Sequence, residues 1–320
     1  MIDIAYLLAG LALLTAGGEA LIRGALSAAN RIGISPLLSG LLIVGFGTSA
    51  PELVVSVDAA INHKPDIAIG NVVGSNIGNV LLILGICALI RPLDVSPLGL
   101  RRDAVVMVTA SLLFVVMAFN GTIGRIDAMV LWVFLLIYLV WAYQTEKSGS
   151  VPSAEVHKAE AEELSALPAS ALGTGAMVVI GLVLLIAGSR LLLTGAVSLA
   201  EHFGLSQAII GLTLVAVGTS LPELSISVIA AIRGHADVAV GNVMGSNIFN
   251  VLGILGVSAF LHPLPVPARI LHFDQWFLLA TALLIFFFLY TSQRVTRLEG
   301  GVLLIGYLAY LGSGFFFFSN

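Results

Sequence analysis

Two glutamates set in apolar surroundings are the chemically loaded residues of this chain. Glu52 closes the string Gly47-Thr48-Ser49-Ala50-Pro51-Glu52, and Glu223 closes Gly218-Thr219-Ser220-Leu221-Pro222-Glu223. An acid inside such a run is costly, about 2.5–3.5 kcal/mol at a helix centre on insertion scales. Two such acids in matched strings point to one shared ionic site. The residues beside them, two hydroxyls in each string, are hard oxygen donors, the ligands that Ca²⁺ and Na⁺ prefer. The blander alternative is a proline kink in which Ser and Thr bond back to their own helix and the glutamate pairs with a cation. Neither string has a Lys or Arg at comparable depth to supply that partner.

A second element follows each string. Gly70-Asn71-Val72-Val73-Gly74-Ser75-Asn76 recurs as Gly241-Asn242-Val243-Met244-Gly245-Ser246-Asn247, each continuing to an asparagine, Asn79 or Asn250. On a helix, Asn71, Ser75 and Asn79 lie four apart and share a face, as do Asn242, Ser246 and Asn250. Gly74 and Gly245 would admit a close neighbouring helix. Asn71, Asn76 and their partners could equally serve interhelical amide bonding. The Ser75/Asn79 and Ser246/Asn250 stripes are expected to face the site.

Both elements repeat at one constant offset of 171 residues, Gly47 to Gly218 and Gly70 to Gly241. Roughly three positions in five match between 40–93 and 211–264 without a gap. The chain is 58% hydrophobic and 10% charged, with mean hydropathy +1.06. Soluble chains are about 25% charged, so this is an integral membrane protein. Ten mainly apolar runs are long enough, or nearly so, to be membrane helices. They cover about 4–28, 36–61, 66–90, 104–119, 126–143, 172–200, 206–232, 238–261, 273–290 and 298–318. None alternates with period two, which argues against a β-barrel. The expected fold is all-α, with five helices in 1–143, a polar linker over 144–170, and five helices in 171–320. An odd-numbered unit enters the membrane from the opposite side when repeated. The halves are therefore expected to be inverted repeats, with a site near the midplane where they meet.

That arrangement explains how the strings are positioned. Each lies mid-run in the second or seventh helix, where proline removes a donor and clashes with the carbonyl four residues earlier. Irregular backbone at membrane depth is tolerated only where it is buried in protein or lines a cavity. Each string therefore predicts a broken helix presenting free carbonyls, hydroxyls and one carboxylate. The assembled site would hold Glu52, Glu223, Thr48, Ser49, Thr219, Ser220, Ser75, Asn79, Ser246 and Asn250. Its charge of −2 is balanced by one Ca²⁺ or by two Na⁺, and competition for one pair of acids favours exchange over cotransport. Two close carboxylates titrate as a coupled pair, so protons should compete at low pH.

Other features are less telling. Glu19 and Arg23 are four apart on the first helix and read as a structural or gating pair. Asp58 would line an outer vestibule or sit at a solvated helix end. Asp66 and Asp237 read as helix caps, Phe315–Phe318 as an interfacial anchor, and the single cysteine, Cys87, as a packing residue. The N-terminus lacks the basic stretch of a signal peptide, so the first helix is expected to be retained. Arg31, Arg91, Arg101, Arg102, Arg233, Lys147, Lys158, Arg294 and Arg297 gather on one side, against Lys64, Arg125 and Arg269 on the other. The positive-inside bias puts the linker in the cytoplasm and both termini outside. Net charge −4 gives no sign of a nucleic-acid partner. The sequence calls for no resident cofactor, and it leaves monomer and oligomer open.

At these strings the chain resembles the sodium/calcium exchangers of the cation/Ca²⁺ antiporter superfamily, whose α-repeats look like 40–93 and 211–264. The resemblance implies that Glu52 and Glu223 are the main Ca²⁺ ligands and also serve Na⁺, with the hydroxyl and amide residues above beside them. It adds the backbone carbonyls of Gly45 and Ala216, and it implies alternating access through sliding of the first and sixth helices. The potassium-dependent branch has Asp where this chain has Asn250, which implies K⁺-independent exchange. The proton/calcium branch follows its acid with histidine, whereas Leu53 and Leu224 stand here, which implies Na⁺ as the driving ion. The linker is too short for the Ca²⁺-sensing insert of the eukaryotic members, and the compact size looks prokaryotic. The expected function is thus a Na⁺/Ca²⁺ antiporter of an inner membrane. The alternatives are H⁺-driven exchange of Ca²⁺ or another divalent cation, a passive cation channel and, least of all, a serine enzyme, because no His or Lys stands in either string to activate a serine.

Overall fold

Helix packing in this molecule begins at glycine. In the computed structural model, which describes residues 2–31, 45–94, 97–147, 170–204, 206–234, 236–291 and 294–318, the two longest helices lie antiparallel. They are α1 (Ile2–Arg31) and α7 (Ala171–Phe203). Gly10, Gly17 and Gly24 on α1 face a matching series, Gly181, Gly188 and Gly195, on α7, displaced by the same 171 residues. A Cβ at Gly10 would stand 2.6 Å from the Leu192 amide nitrogen, and one at Gly17 2.8 Å from that of Leu185. The two backbones are therefore in direct contact along the seam. Small residues permit that approach where lipid removes the hydrophobic drive between helices.

The remaining elements follow in order. A short turn α2 (Gly45–Gly47) and α3 (Ala50–Ile61) precede α4 (Pro65–Ile90), α5 (Pro97–Ala118) and α6 (Arg125–Lys147). After α7 come α8 (207–219), α9 (Leu221–Arg233), α10 (236–261), α11 (270–291) and α12 (Arg297–Phe318). The class is all-α. The only strands among the described residues are four pairs of residues: β1 (Leu93–Asp94), β2 (Thr122–Ile123), β3 (Leu264–Pro265) and β4 (Arg294–Val295). β1 pairs antiparallel with β4, and β2 with β3. β1 and β3 are themselves 171 residues apart, so each ribbon ties corresponding loops at one end of the bundle.

Among the described residues, six helices are long and apolar enough to cross a membrane, or seven counting one bent pair. Of their most apolar stretches, 78% is buried in both α4 and α10, against 22–39% in the other four. α4 and α10 are thus the centre of the bundle. This follows from their Gly, Ser and Asn content, which suits contact with protein rather than lipid. Boundaries differ modestly from the sequence reading: α1 begins at Ile2 and runs to Arg31, and α5 begins at Pro97 instead of Ala104. Positions 36–44 of the second predicted helix, and most of the 144–170 linker, lie outside the described residues. Gln144–Lys147 extends α6.

Candidate cation site

The two strings break their helices, and proline decides where. Pro51 and Pro222 sit at the second position of α3 and α9, where a missing N–H costs nothing. The serines before them take almost the same non-helical conformation, φ −84°, ψ 12° at Ser49 and φ −80°, ψ 13° at Ser220. The second break turns the chain by 55° between Gly211–Thr219 and Leu221–Arg233.

Ser-x-x-Glu is capping-box spacing, yet neither serine caps its own helix. The bonds cross between halves. Ser49 Oγ donates to Glu223 Oε1 at 2.8 Å, and Ser220 Oγ donates to Glu52 Oε1 at 2.7 Å. Glu52 and Glu223 each lie in the first turn of their helix, where the N-terminal dipole favours negative charge. Both are fully buried, and no ion pair reaches either among the described residues. The pairing alternative raised by the sequence is therefore not what is found.

The asparagines cross in the same way. Asn76 Nδ2 donates to the Asn247 carbonyl at 3.0 Å, and Asn247 Nδ2 to the Asn76 carbonyl at 3.1 Å. Their side-chain oxygens then accept the amides of the ligand candidates: Asn79 Nδ2 to Asn247 Oδ1 at 2.9 Å, and Asn250 Nδ2 to Asn76 Oδ1 at 2.8 Å. Because each amide's nitrogen is held, its oxygen is turned away and left free. Among the described residues, four buried oxygens of this site consequently have no hydrogen-bond partner: Glu52 Oε2, Glu223 Oε2, Asn79 Oδ1 and Asn250 Oδ1. They form two pairs related by the 171-residue offset. Buried acceptors left unpaired are costly, and a cation is the partner that four acceptors without a donor call for. A π-helical turn begins at each of these asparagines, Asn79–Ile83 and Asn250–Leu255. Such bulges frequently mark functional positions.

The other predicted residues gather at the same place. Ser246 Oγ is 3.4 Å from Glu223 Oε1 and 3.5 Å from Thr48 Oγ1. Thr219 Oγ1 donates to Asn71 Oδ1 at 3.0 Å. The Ala216 carbonyl departs from the expectation of a free ligand. It accepts from Ser220 N at 3.1 Å and Ser75 Oγ at 3.3 Å, while Thr219 Oγ1, whose one proton is shared with Asn71 Oδ1, stands 3.2 Å away. The break releases backbone acceptors, but nearby hydroxyls and the turn's own N–H take this one up. Gly45 opens α2, and its surroundings lie outside the described residues.

Asn71 and Asn242 turn out to be braces. Asn71 Nδ2 donates to the Glu52 carbonyl at 3.2 Å and to Ser56 Oγ at 2.9 Å; Asn242 does the same to Glu223 and Ser227 at 3.2 and 3.0 Å. Sequence reasoning passed over Ser56 and Ser227, although they too are 171 apart. It also passed over two buried acids at that offset, Asp103 and Asp274. Arg102 Nε holds Asp103 at 2.7 Å, while Arg269 Nε at 3.1 Å and Tyr310 Oη at 2.9 Å hold Asp274. Asp66 is inside the first turn of α4 rather than a cap, and Asp237 is placed likewise in α10. Asp58 accepts from Ser189 Oγ at 3.0 Å and Asn62 Nδ2 at 2.8 Å. Glu19 and Arg23 form the expected ion pair, and Cys87 is buried.

A narrow cleft of only about 10 Å³, room for about one water, lies beside Ser75 and Ser220 between α4 and α8–α9, lined further by Gly78, Leu82, Val217 and Leu224. The repeat-related positions are Ser246, Ser49, Phe249, Gly253, Phe46 and Leu53. There Phe46 and Phe249 stack, with centroids 4.3 Å apart and planes at 14°. The Phe249 ring lies over Gly253, 2.6 Å from where a Cβ would stand. Small and large residues are thus exchanged between the two sides, leaving a cleft on one and an aromatic plug on the other.

The profile of the family described as "Sodium/calcium exchanger protein" matches residues 2–144 and 174–316. The chain belongs to the sodium/calcium exchanger family. It is 34% identical to the sodium/calcium exchanger MaX1 of Methanosarcina acetivorans over 344 residues, covering 97% of each chain. Identity to the inner membrane protein YrbG of Escherichia coli (strain K12) is 36% over 265 residues, 81% of this chain and 80% of that one. Among solved structures, the exchanger NCX_Mj soaked with 2.5 mM Na⁺ and 0.1 mM Ca²⁺ aligns at TM-score 0.67 and 31% identity, covering 98% of each chain. The chain is accordingly a multi-pass membrane protein of a cation-exchanger family.

Proposed function

We propose that this chain is an antiporter exchanging Na⁺ for Ca²⁺ by alternating access, without K⁺. The observation that carries the reading is the set of four buried, unpartnered oxygens, two of them carboxylate, at the meeting of the two halves. Ca²⁺ takes six to eight oxygens in flexible geometry. Glu52, Glu223, Asn79 and Asn250 supply the unpartnered set. Thr48, Ser49, Thr219, Ser220, Ser75 and Ser246, with the Gly45 and Ala216 carbonyls, complete the shell as their present bonds exchange. Either one Ca²⁺ or two Na⁺ neutralises the two acids, so the ions compete for one place.

The architecture in this reading is ten membrane helices as two inverted five-helix repeats, 1–143 and 171–320, joined by a cytoplasmic 144–170 linker, with both termini outside. Its support is the doubled crossing of Ser–Glu and Asn–Asn bonds at a single offset, and the equal length of the two family matches. A stacked aromatic pair on one side and a cleft of only about 10 Å³ on the other suit a carrier rather than an open pore. A channel would need both routes open at once.

The test is reconstitution. Proteoliposomes loaded with Na⁺ and diluted into Na⁺-free medium should take up ⁴⁵Ca²⁺, with uptake collapsing when Na⁺ is equal on both sides and unaffected by replacing K⁺ with choline. Uptake that follows an imposed pH gradient and ignores Na⁺ would replace this reading with proton-driven exchange.

A further inference from the structure

We propose a transition-metal site of the Zn²⁺ class on one face of the bundle, formed by His63 and His262 and separate from the buried cation site. His63 follows α3 and His262 follows α10, so the pair joins the two halves. The His63 imidazole is exposed and that of His262 half-buried, with His63 Nδ1 3.3 Å from His262 Nε2 and the rings at 84°. Two imidazole nitrogens on one tetrahedral Zn²⁺, each about 2.0–2.1 Å from the metal, stand about 3.3–3.4 Å apart. The observed spacing is therefore already that of two ligands on one ion. A small rotation of each ring turns both lone pairs onto a common point, and water can complete the tetrahedron.

The backbone supports a selected position. Among the described residues, His63 is the only non-glycine with positive φ, at 56°. Its repeat partner is Gly234, at φ 86°, the residue that ordinarily occupies such a helix end. The repeat partner of His262 is Arg91, whose guanidinium carbon would lie 2.9 Å from a Cβ at Gly234. The two faces thus place corresponding residues in contact, but only one face has replaced both with imidazoles. A left-handed non-glycine costs energy and clusters at functional positions. Bound metal would tie the end of α3 to the end of α10.

Zn²⁺ titration of the purified full-length protein, carried on a histidine-free affinity tag, tests the site by calorimetry. Co²⁺ absorption serves as a second probe. One Zn²⁺ per chain is expected, with affinity falling at least tenfold in His63→Gln and equally in His262→Gln, and the double variant no weaker than either single one. The binding should persist in Glu52→Gln/Glu223→Gln, which separates this site from the proposed transport site. Wild-type protein without a Zn²⁺ isotherm, or binding that survives in His63→Gln, overturns the proposal. So does binding lost instead with His202→Gln or with the glutamate pair.

Discussion

Asn76→Ala should weaken Ca²⁺ binding although Asn76 offers the site no free oxygen. Its Nδ2 donates to the Asn247 carbonyl at 3.0 Å, and its Oδ1 accepts from Asn250 Nδ2 at 2.8 Å. Each bond contributes about 0.5–1.5 kcal/mol net, and a buried Asn250 Nδ2 left unpaired costs about 1–3 kcal/mol more. The Asn250 amide escapes that cost by turning over, which brings its nitrogen to the place its free oxygen held. A cation ligand is then exchanged for a donor. Loss of an outer partner of a metal ligand typically costs 10–100-fold in affinity, or about 1.4–2.7 kcal/mol. Calorimetric Ca²⁺ titration of Asn76→Ala, Asn250→Ala and the double variant measures this directly. If Asn76 acts through Asn250, the double variant binds no more weakly than Asn250→Ala, a coupling of about 1 kcal/mol or more. Additive losses, or an Asn76→Ala protein with unchanged affinity, would refute the orienting role. The same logic predicts a matching cycle for Asn247 and Asn79.

Glu52→Gln and Glu223→Gln should each abolish Na⁺-driven ⁴⁵Ca²⁺ uptake while the protein remains monodisperse by gel filtration. Retained uptake in either would remove the shared two-acid site. Uptake should also fall as pH drops from neutral to about 5, since two close carboxylates titrate together; a flat profile would count against them. At the α1–α7 seam, Gly17→Val forces atoms into backbone 2.8 Å away and should lower the thermal midpoint clearly. Gly175→Ala, with nothing within 4 Å, should leave it unchanged or raise it slightly, since Ala over Gly in a helix adds about 0.5–1 kcal/mol of stability. In a Cys87→Ser background, Leu224→Cys, half-buried beside the narrow cleft, should react with an impermeant maleimide. Leu53→Cys should react only after Phe46→Val and Phe249→Gly remove the plug, and equal labelling of both without those changes would show that the plug does not seal.

The site acids, their hydroxyl companions and the all-α membrane class were legible in the residues, because the cost of an acid in lipid and a repeat at one offset are properties of the chain. The offset also marked Ser56, Ser227, Asp103 and Asp274, but a repeated position says only that two residues are equivalent, not what each touches. Only the tertiary structure decided that Ser49 serves Glu223 while Ser220 serves Glu52, and that Asn76 and Asn247 hold the amides of Asn250 and Asn79. Those partners lie 168–174 residues away, where no local spacing relates them. The Ala216 carbonyl shows the same limit in reverse: the family resemblance implies a free ligand, yet the local Ser220 N–H and Thr219 hydroxyl, and Ser75 brought from 141 residues away, occupy it. The difference between cleft and plug follows from exchanging Gly78 and Leu82 for Phe249 and Gly253. Those letters are plain in the sequence, but the rings become a plug only because α10 carries Phe249 against Phe46.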